Sequence, residues 1–133
     1  MSNYIGILDG AAKAYGVRIP DLVGCYGGGA TPEAAIADAI SAAREWIAHR
    51  QVKGEAIPKP RSMTQVLKAE TIDASINEVA VIIPVILDSG RTVRANVTFD
   101  AGLLEAIDEE SALRGVTRSA FLASAARKRL EIP

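Results

Sequence analysis

Polar side chains that can hydrogen-bond to nucleic acid bases alternate along residues 91–99, RTVRANVTF. In a strand with this alternation one face is apolar, and the polar residues of the other face are Thr92, Arg94, Asn96 and Thr98. Arginine can bind guanine through two hydrogen bonds, asparagine can bind adenine in the same way, and threonine can bond to several bases. Such a strand taken alone is more often half-buried with a solvated polar face, so the residues around it must decide between the two interpretations.

The residues that follow predict two short helices joined by a glycine turn. Asp100 can cap a first helix that ends near Leu113, and Gly115 supplies the glycine that commonly ends a helix. Thr117 can cap a second helix, whose apolar positions are Phe121, Leu122, Ala125, Ala126 and Leu130. One strand and two helices cannot close a core of their own. The simplest solution is a second copy of the chain, with two strands paired antiparallel above four interlocked helices.

This order of elements, together with the stretch GVTRSAFLASAA, resembles the ribbon-helix-helix family of DNA-binding proteins. The resemblance implies that residues 91–133 form a homodimer whose two-stranded ribbon enters the major groove of operator DNA. The residues that would contact base edges are Arg94, Asn96 and Thr98. The residues that would meet a phosphate at the start of the second helix are Thr117, Arg118 and Ser119. One departure is Ala101-Gly102, where the family commonly has a proline and an acidic residue.

The first half of the chain predicts a small antiparallel sheet and one long helix. Three short strands are expected, at Tyr4–Leu8, Tyr15–Ile19 and Val23–Tyr26. The glycine run at residues 27–29 is interpreted as a flexible turn from strand to helix. Thr31 can cap a helix that runs to about Arg50, because Ile36, Ile40, Ala43 and Ile47 recur at helical spacing.

The middle of the chain predicts a loop, a short helix and a further strand. Two prolines indicate a loop from Lys53 to Ser62, and one or two turns of helix follow to Ala69. The apolar run from Asn77 to Leu87 predicts a strand buried on both faces, with Pro84 at an edge or a bulge. Residues 88–90 then form either a hairpin loop within one sheet or a hinge between two modules. The ribbon-helix-helix pattern favours the hinge.

The first half also resembles HicB antitoxins. The matching residues are YIGILDG, the run AYGVRIPDLVGCYGGGATPEAAIADAISAAREWI and the later IPKP. The resemblance implies an α+β fold, in which a degraded ribonuclease-H-like antiparallel sheet with one long helix, residues 1–87, precedes the ribbon-helix-helix dimerisation module. It also implies that the N-terminal domain neutralises a HicA-type mRNA-cleaving toxin and that the C-terminal domain represses the operon. Further association of dimers stays open.

Acidic residues of the first half raise the alternative of a nuclease, since two-metal phosphodiester cleavage needs several converging carboxylates. Turns explain Asp9 before a glycine and Asp21 after a proline, and Asp38 is the other candidate. His49 has no second histidine with which to share a metal, and Cys25 is interpreted as packing in an apolar strand. We therefore expect no catalytic residues, no metal and no cofactor. The remaining alternative is a solitary ribbon-helix-helix repressor with a ligand-sensing N-terminal domain.

The overall composition is that of a small folded protein. Hydrophobic residues make up 49% of the 133 residues, which is enough for a packed core. The net charge of −1 is unusual for a nucleic-acid binder, although binding depends on the field at one face. The single cysteine excludes an internal disulfide and fits a reducing compartment. Neither a secretory signal nor a membrane-spanning run is evident, so we expect a soluble cytoplasmic protein.

Overall fold

The elements of the fold fall into two groups along the chain. In the computed structural model, which describes residues 1–131, residues 1–87 form one compact unit and a second unit begins at Asp88. The first unit contains β1 (Ser2–Ala11), β2 (Ala14–Arg18), β3 (Tyr26–Gly29), α1 (Pro32–Val52), α2 (Met63–Ala69), a 3-10 turn (Ala74–Ile76) and β4 (Val79–Val85). The second contains α3 (Ala101–Arg114) and α4 (Arg118–Glu131). This is the expected α+β class. Ile132 and Pro133, the end of the predicted C-terminal domain, lie outside the described residues.

Four antiparallel strands in the order β3-β2-β1-β4 form the sheet of the first unit. Ala12 and Lys13, the two residues between β1 and β2, have φ angles of 50° and 69°. Positive φ at both central positions is typical of a type I′ turn, whose twist matches that of paired strands. β1 is therefore longer than the predicted Tyr4–Leu8. Asp9 lies within the strand, opposite Gly16, and the prediction that it lies in a turn was wrong.

The third strand consists largely of the glycine run, which corrects two predictions. The sequence predicted a strand at Val23–Tyr26 and then a glycine turn, whereas residues 26–29 are the strand and pair with β2. The reason is the close approach of α1. A Cβ on Gly27 would lie 2.4 Å from the backbone nitrogen of Ala39, and one on Gly29 would lie 2.7 Å from the Cβ of Ala34. Only glycine lets the helix lie this close to the strand.

The long helix α1 covers one face of the sheet and is capped as predicted. The Thr31 hydroxyl accepts a hydrogen bond from the backbone N–H of Ala34 at 3.1 Å. The side of α1 that faces the sheet carries small and branched residues, and its buried members are Ala35, Ala39, Ile40, Ala43 and Ile47. They pack with Tyr4, Val17 and Ile83 of the strands into the main core.

The short helix α2 covers the opposite face of the sheet. The short helix was predicted from the sequence, but its cap was not: Ser62 forms a capping box with Gln65, in which side chain and backbone bond reciprocally. Val66 of α2 is fully buried and packs with Ile5 and Ile7 of β1. Because successive residues of a strand point to opposite faces, this second cluster lies across the sheet from α1.

The last strand of the sheet, β4, is less buried than the sequence predicted. Val79 and Ile82 are half-exposed, so the strand is not buried on both faces, whereas Ile83 is fully buried. β4 is an edge strand, paired only with β1, so side chains of a neighbouring strand flank its own side chains on one side only. The expected edge position of Pro84, which lies opposite Asn3, agrees with its missing N–H.

In the second unit, the start and end of α3 and the start of α4 are where the sequence predicted. The Asp100 carboxylate accepts a hydrogen bond from the N–H of Gly102 at 2.9 Å and caps α3. Gly115, with a φ of 67°, ends it. The Thr117 hydroxyl accepts from the N–H of Ala120 at 3.1 Å and caps α4. None of the helices in residues 1–131 is both long enough and apolar enough to cross a bilayer.

Residues 91–99, predicted as a strand, are in no strand of the described chain. The hairpin that would have joined them to β4 is therefore absent from the described residues. A strand exists only when its backbone groups pair with a neighbouring strand, and one copy of the chain offers these residues no such neighbour.

Candidate nucleic-acid interface

Most apolar side chains of the second unit are exposed when one copy of the chain is considered. Among the described residues of this unit, only Ile107 and Ser111 are buried. Val93 is 78% exposed and Leu113 is 82% exposed. Apolar surface shared by a loop segment and two helices is typical of an interaction surface.

The residues predicted to contact bases lie together in the exposed segment before α3. Arg94, Asn96 and Thr98 are all exposed and occupy alternate positions of this segment. Within residues 1–131 none of the three has a hydrogen bond or an ion pair, and nothing joins them to the start of α4. Their polar groups are therefore available to a ligand.

The residues predicted to contact a phosphate lie at the N-terminus of α4, and one of them already has a partner. Arg118 donates two hydrogen bonds to the Asp108 carboxylate, from Nε and Nη2, each of 2.8 Å. These hydrogen bonds lower the pKa of Asp108 below its usual value. Thr117 is engaged as the cap, and Ser119 is exposed. The sequence reasoning missed Asp108, because its pairing joins two helices and leaves no local signal.

Short contacts fix the turn between α3 and α4. The Ser111 hydroxyl donates to the carbonyl of Ile107 at 2.6 Å, and its own carbonyl accepts from the N–H of Val116 at 3.0 Å. Arg114 lies over the ring of Phe121, 5.9 Å from its centroid. The start of α4 is thus held at a defined position on α3.

The carboxylates that raised the nuclease alternative serve the fold. Asp21 accepts hydrogen bonds from the backbone N–H of Arg61 at 2.8 Å and from its Nε at 2.5 Å. Asp38 accepts from the N–H of Gly28 at 2.9 Å, which occupies a backbone group of β3. Residues 1–131 contain no cluster of three or more His, Cys, Asp or Glu that could hold a metal ion.

Cys25 is a packing residue rather than a reactive thiol. It lies just before β3, not in a strand as predicted, and it is buried in the main core. Burial raises the pKa of its thiol to about 11, so the thiol stays protonated near neutral pH.

Solved structures similar to this chain are antitoxins. Antitoxin HicB of Burkholderia pseudomallei is 30% identical and aligns over 98% of this chain and 97% of that chain, with a TM-score of 0.52. A crystal structure of antitoxin HicB3 is 25% identical over 96% and 97% of the two chains, with a TM-score of 0.53. One chain of a HicA3 and HicB3 toxin-antitoxin complex shares the fold, with 19% identity over 65% and 98% and a TM-score of 0.50.

The sequence also matches a family model over nearly its whole length. Residues 4–126 match the model described as HicB-like antitoxin of bacterial toxin-antitoxin system. No curated protein matches the chain. The family model spans the sheet and α1 as well as α3 and most of α4, so it covers both units. The chain therefore belongs to the HicB-like antitoxin family of bacterial toxin–antitoxin systems.

Proposed function

We propose that this chain neutralises a HicA-type mRNA-cleaving toxin with residues 1–87 and represses its own operon through residues 91–133. In this proposal the first unit is a degraded ribonuclease-H-like domain. The second is a ribbon-helix-helix module that binds operator DNA as a homodimer.

The observation that carries the DNA-binding part is the open core of the second unit. Val93, Val97 and Phe99 alternate along a segment that has no strand partner, beside two helices with only two buried residues. A second copy would pair the two segments antiparallel and bury these side chains between four helices. The hydrophobic effect makes such burial favourable.

Pairing of this kind would turn the polar face of the ribbon outward. Alternation along a strand places Arg94, Asn96 and Thr98 on the face opposite to the apolar residues. These side chains have the donors and acceptors that read base edges in the major groove. Arg118 would reach a phosphate by exchanging or sharing its Asp108 partner.

The first unit is suited to hold a protein partner independently of the second. Its core is closed on both faces of the sheet by α1 and α2. One chain of the HicA3 and HicB3 complex aligns with 65% of this chain. The occurrence of a similar fold in a toxin-antitoxin complex supports a toxin as the partner of this chain.

Co-expression with the protein encoded beside this chain tests the proposal. A tagged chain should co-purify with a small partner, and that partner should cleave RNA only after it has been separated and refolded. The chain purified alone is the control and should cleave no RNA. A partner that cleaves RNA equally well while bound, or the absence of any co-purifying protein, would contradict neutralisation.

A further inference from the structure

One loop of the first unit holds an apolar side chain in solvent although the loop itself is tightly bonded. Residues 19–25 carry three backbone hydrogen bonds, and the shortest joins the N–H of Cys25 to the carbonyl of Leu22 at 2.9 Å. Leu22 is completely buried, which anchors the loop on the core. The next residue, Val23, is nevertheless 80% exposed.

Contacts from outside the loop fix Val23 on both sides. On one side lies Trp46, in the C-terminal half of α1, whose indole N–H donates to the carbonyl of Val23 at 3.1 Å. On the other side, Arg61 binds Asp21 through its backbone N–H and its guanidinium. A surface that is already ordered loses little conformational entropy when a partner binds, so exposed apolar area here is well suited to binding.

The surroundings of Val23 have the composition of a protein interface. Tyr26 is 66% exposed, and Trp46 is partly buried with the Arg50 guanidinium 4.2 Å from its ring centroid. An open groove of about 510 Å³ between the loop and α1 is lined by these aromatic residues and by Glu45. Tyrosine, tryptophan and arginine are the residues that most often carry binding energy at protein interfaces.

The charges around the groove leave one carboxylate unpaired. Arg50 pairs with Glu55 at 3.6 Å, and Arg18 pairs with Glu78 at 3.2 Å. Glu45, exposed on the groove, has no ion pair or hydrogen bond among residues 1–131. The groove therefore favours a partner that brings a cationic group. A protein that cleaves RNA needs such cations, because it must hold a polyanionic backbone.

We infer that the surface formed by Val23, Tyr26, Glu45 and Trp46, here called the Val23 surface, is where the first unit docks the cationic RNA-binding face of its toxin. The inference rests on the proposed function and adds the place of contact. Val23 and the two aromatic residues would supply the buried centre of the interface. Glu45 would take the place of an RNA phosphate opposite a basic side chain of the toxin.

The test compares two highly exposed valines in the full-length chain. Val23→Arg removes an apolar contact and adds a like charge, and it should weaken binding of the toxin encoded beside this chain by more than about tenfold. Val52→Arg is the matched control, since Val52 is 88% exposed at the end of α1 and is not part of the Val23 surface. It should leave the affinity unchanged. Glu45→Lys should weaken binding as well, and the loss should shrink as salt is raised. Calorimetry measures the affinities, and thermal unfolding checks that all variants fold.

The possible outcomes distinguish an error in the Val23 surface from an error in the proposed function. Equal affinity of Val23→Arg and the unaltered chain would overturn the Val23 surface while leaving toxin binding intact. No binding by the unaltered chain would overturn the proposed function and the inference together. If Val23→Arg instead lowers the mass of the free chain in light scattering and still binds toxin, the surface joins copies of this chain, and the inference is wrong.

Discussion

At the scale of single residues, the ion pair of Asp108 and Arg118 bears on the proposed contact between the start of α4 and DNA. Both side chains are about half exposed, at 45% and 54%. Exposed ion pairs contribute little net free energy, because water and salt screen them. A phosphate at the helix N-terminus would also accept hydrogen bonds from backbone N–H groups, so it can compete with Asp108 for the guanidinium.

A base-reading residue should be distinguishable from a residue that merely adds charge. Arg94→Ala should weaken operator binding by about 1–3 kcal/mol and relax the preference for operator over scrambled DNA, because a bidentate contact to one base is lost. Arg91→Ala removes an equal charge from the same segment and is the control. It should weaken binding to both DNAs by the same factor. Fluorescence anisotropy on the two duplexes measures both effects, and an unchanged preference in Arg94→Ala would refute its role in reading bases.

At the scale of elements, the contact of α1 with β3 explains both the shape of the first unit and the composition of the strand. The helix lies on Gly27 and Gly29, and its own contact positions there include Ala34 and Ala39. Small residues on both sides bring the two backbones together. The hydrogen bond from Gly28 to Asp38 then ties the strand to the same helix. A segment that is typical of a flexible loop thus becomes an ordered edge strand.

Adding one methyl group to this strand should destabilise the fold only on the face that meets α1. Gly27→Ala should lower the free energy of unfolding by about 1–3 kcal/mol, since its Cβ would overlap the helix backbone and force the two elements apart. Gly28→Ala is the matched control, because its Cβ would meet the Tyr15 carbonyl at 3.5 Å, an ordinary contact distance. Urea unfolding measures the free energy of unfolding of the two variants. Equal values would contradict the prediction and would mean that α1 shifts to accommodate the added methyl group.

The elements that the sequence predicted correctly are those whose signals are local. Each predicted helix boundary depends on bonds to residues a few positions away; these boundaries are at Thr31, Asp100, Gly115 and Thr117. The glycine strand was missed, because its conformation depends on a helix that begins after it and whose contact residue Ala39 lies twelve positions from Gly27. The exposure of Val79 and Ile82 in β4 was missed for a similar reason, since an apolar run does not reveal which of its side chains distant parts of the chain will cover. The same limit applies to the site, where Arg118 was found from its helix start but its partner Asp108 was not.

At the scale of the whole molecule, the two units differ in how complete they are. The first has two buried clusters, one on each face of its sheet. The second buries two of its described residues within one copy of the chain. The first unit therefore has the means to fold alone, whereas the second is expected to depend on a partner.

This difference predicts how a shortened chain should behave. A chain that ends at Ser89 should unfold cooperatively and still bind toxin, because the whole sheet, α1 and α2 are retained. It should no longer bind operator DNA. Circular dichroism and the toxin-binding assay test the first part, and a mobility-shift assay tests the second. Loss of toxin binding by a truncated chain that still folds would place part of the toxin site in the second unit.

The exposed apolar side chains of the second unit have a consequence for how repression depends on the concentration of the chain. In the proposed dimer, two copies must meet before either apolar face is covered, so the active repressor forms in proportion to the square of the monomer concentration when dimers are scarce. Halving the supply of the chain would then lower the repressor about fourfold. Toxin bound to the first unit need not follow this law, since one copy offers the whole of that unit. An operon controlled in this way would resume transcription as soon as the concentration of this chain begins to fall. Single copies of the chain would still bind toxin at that point.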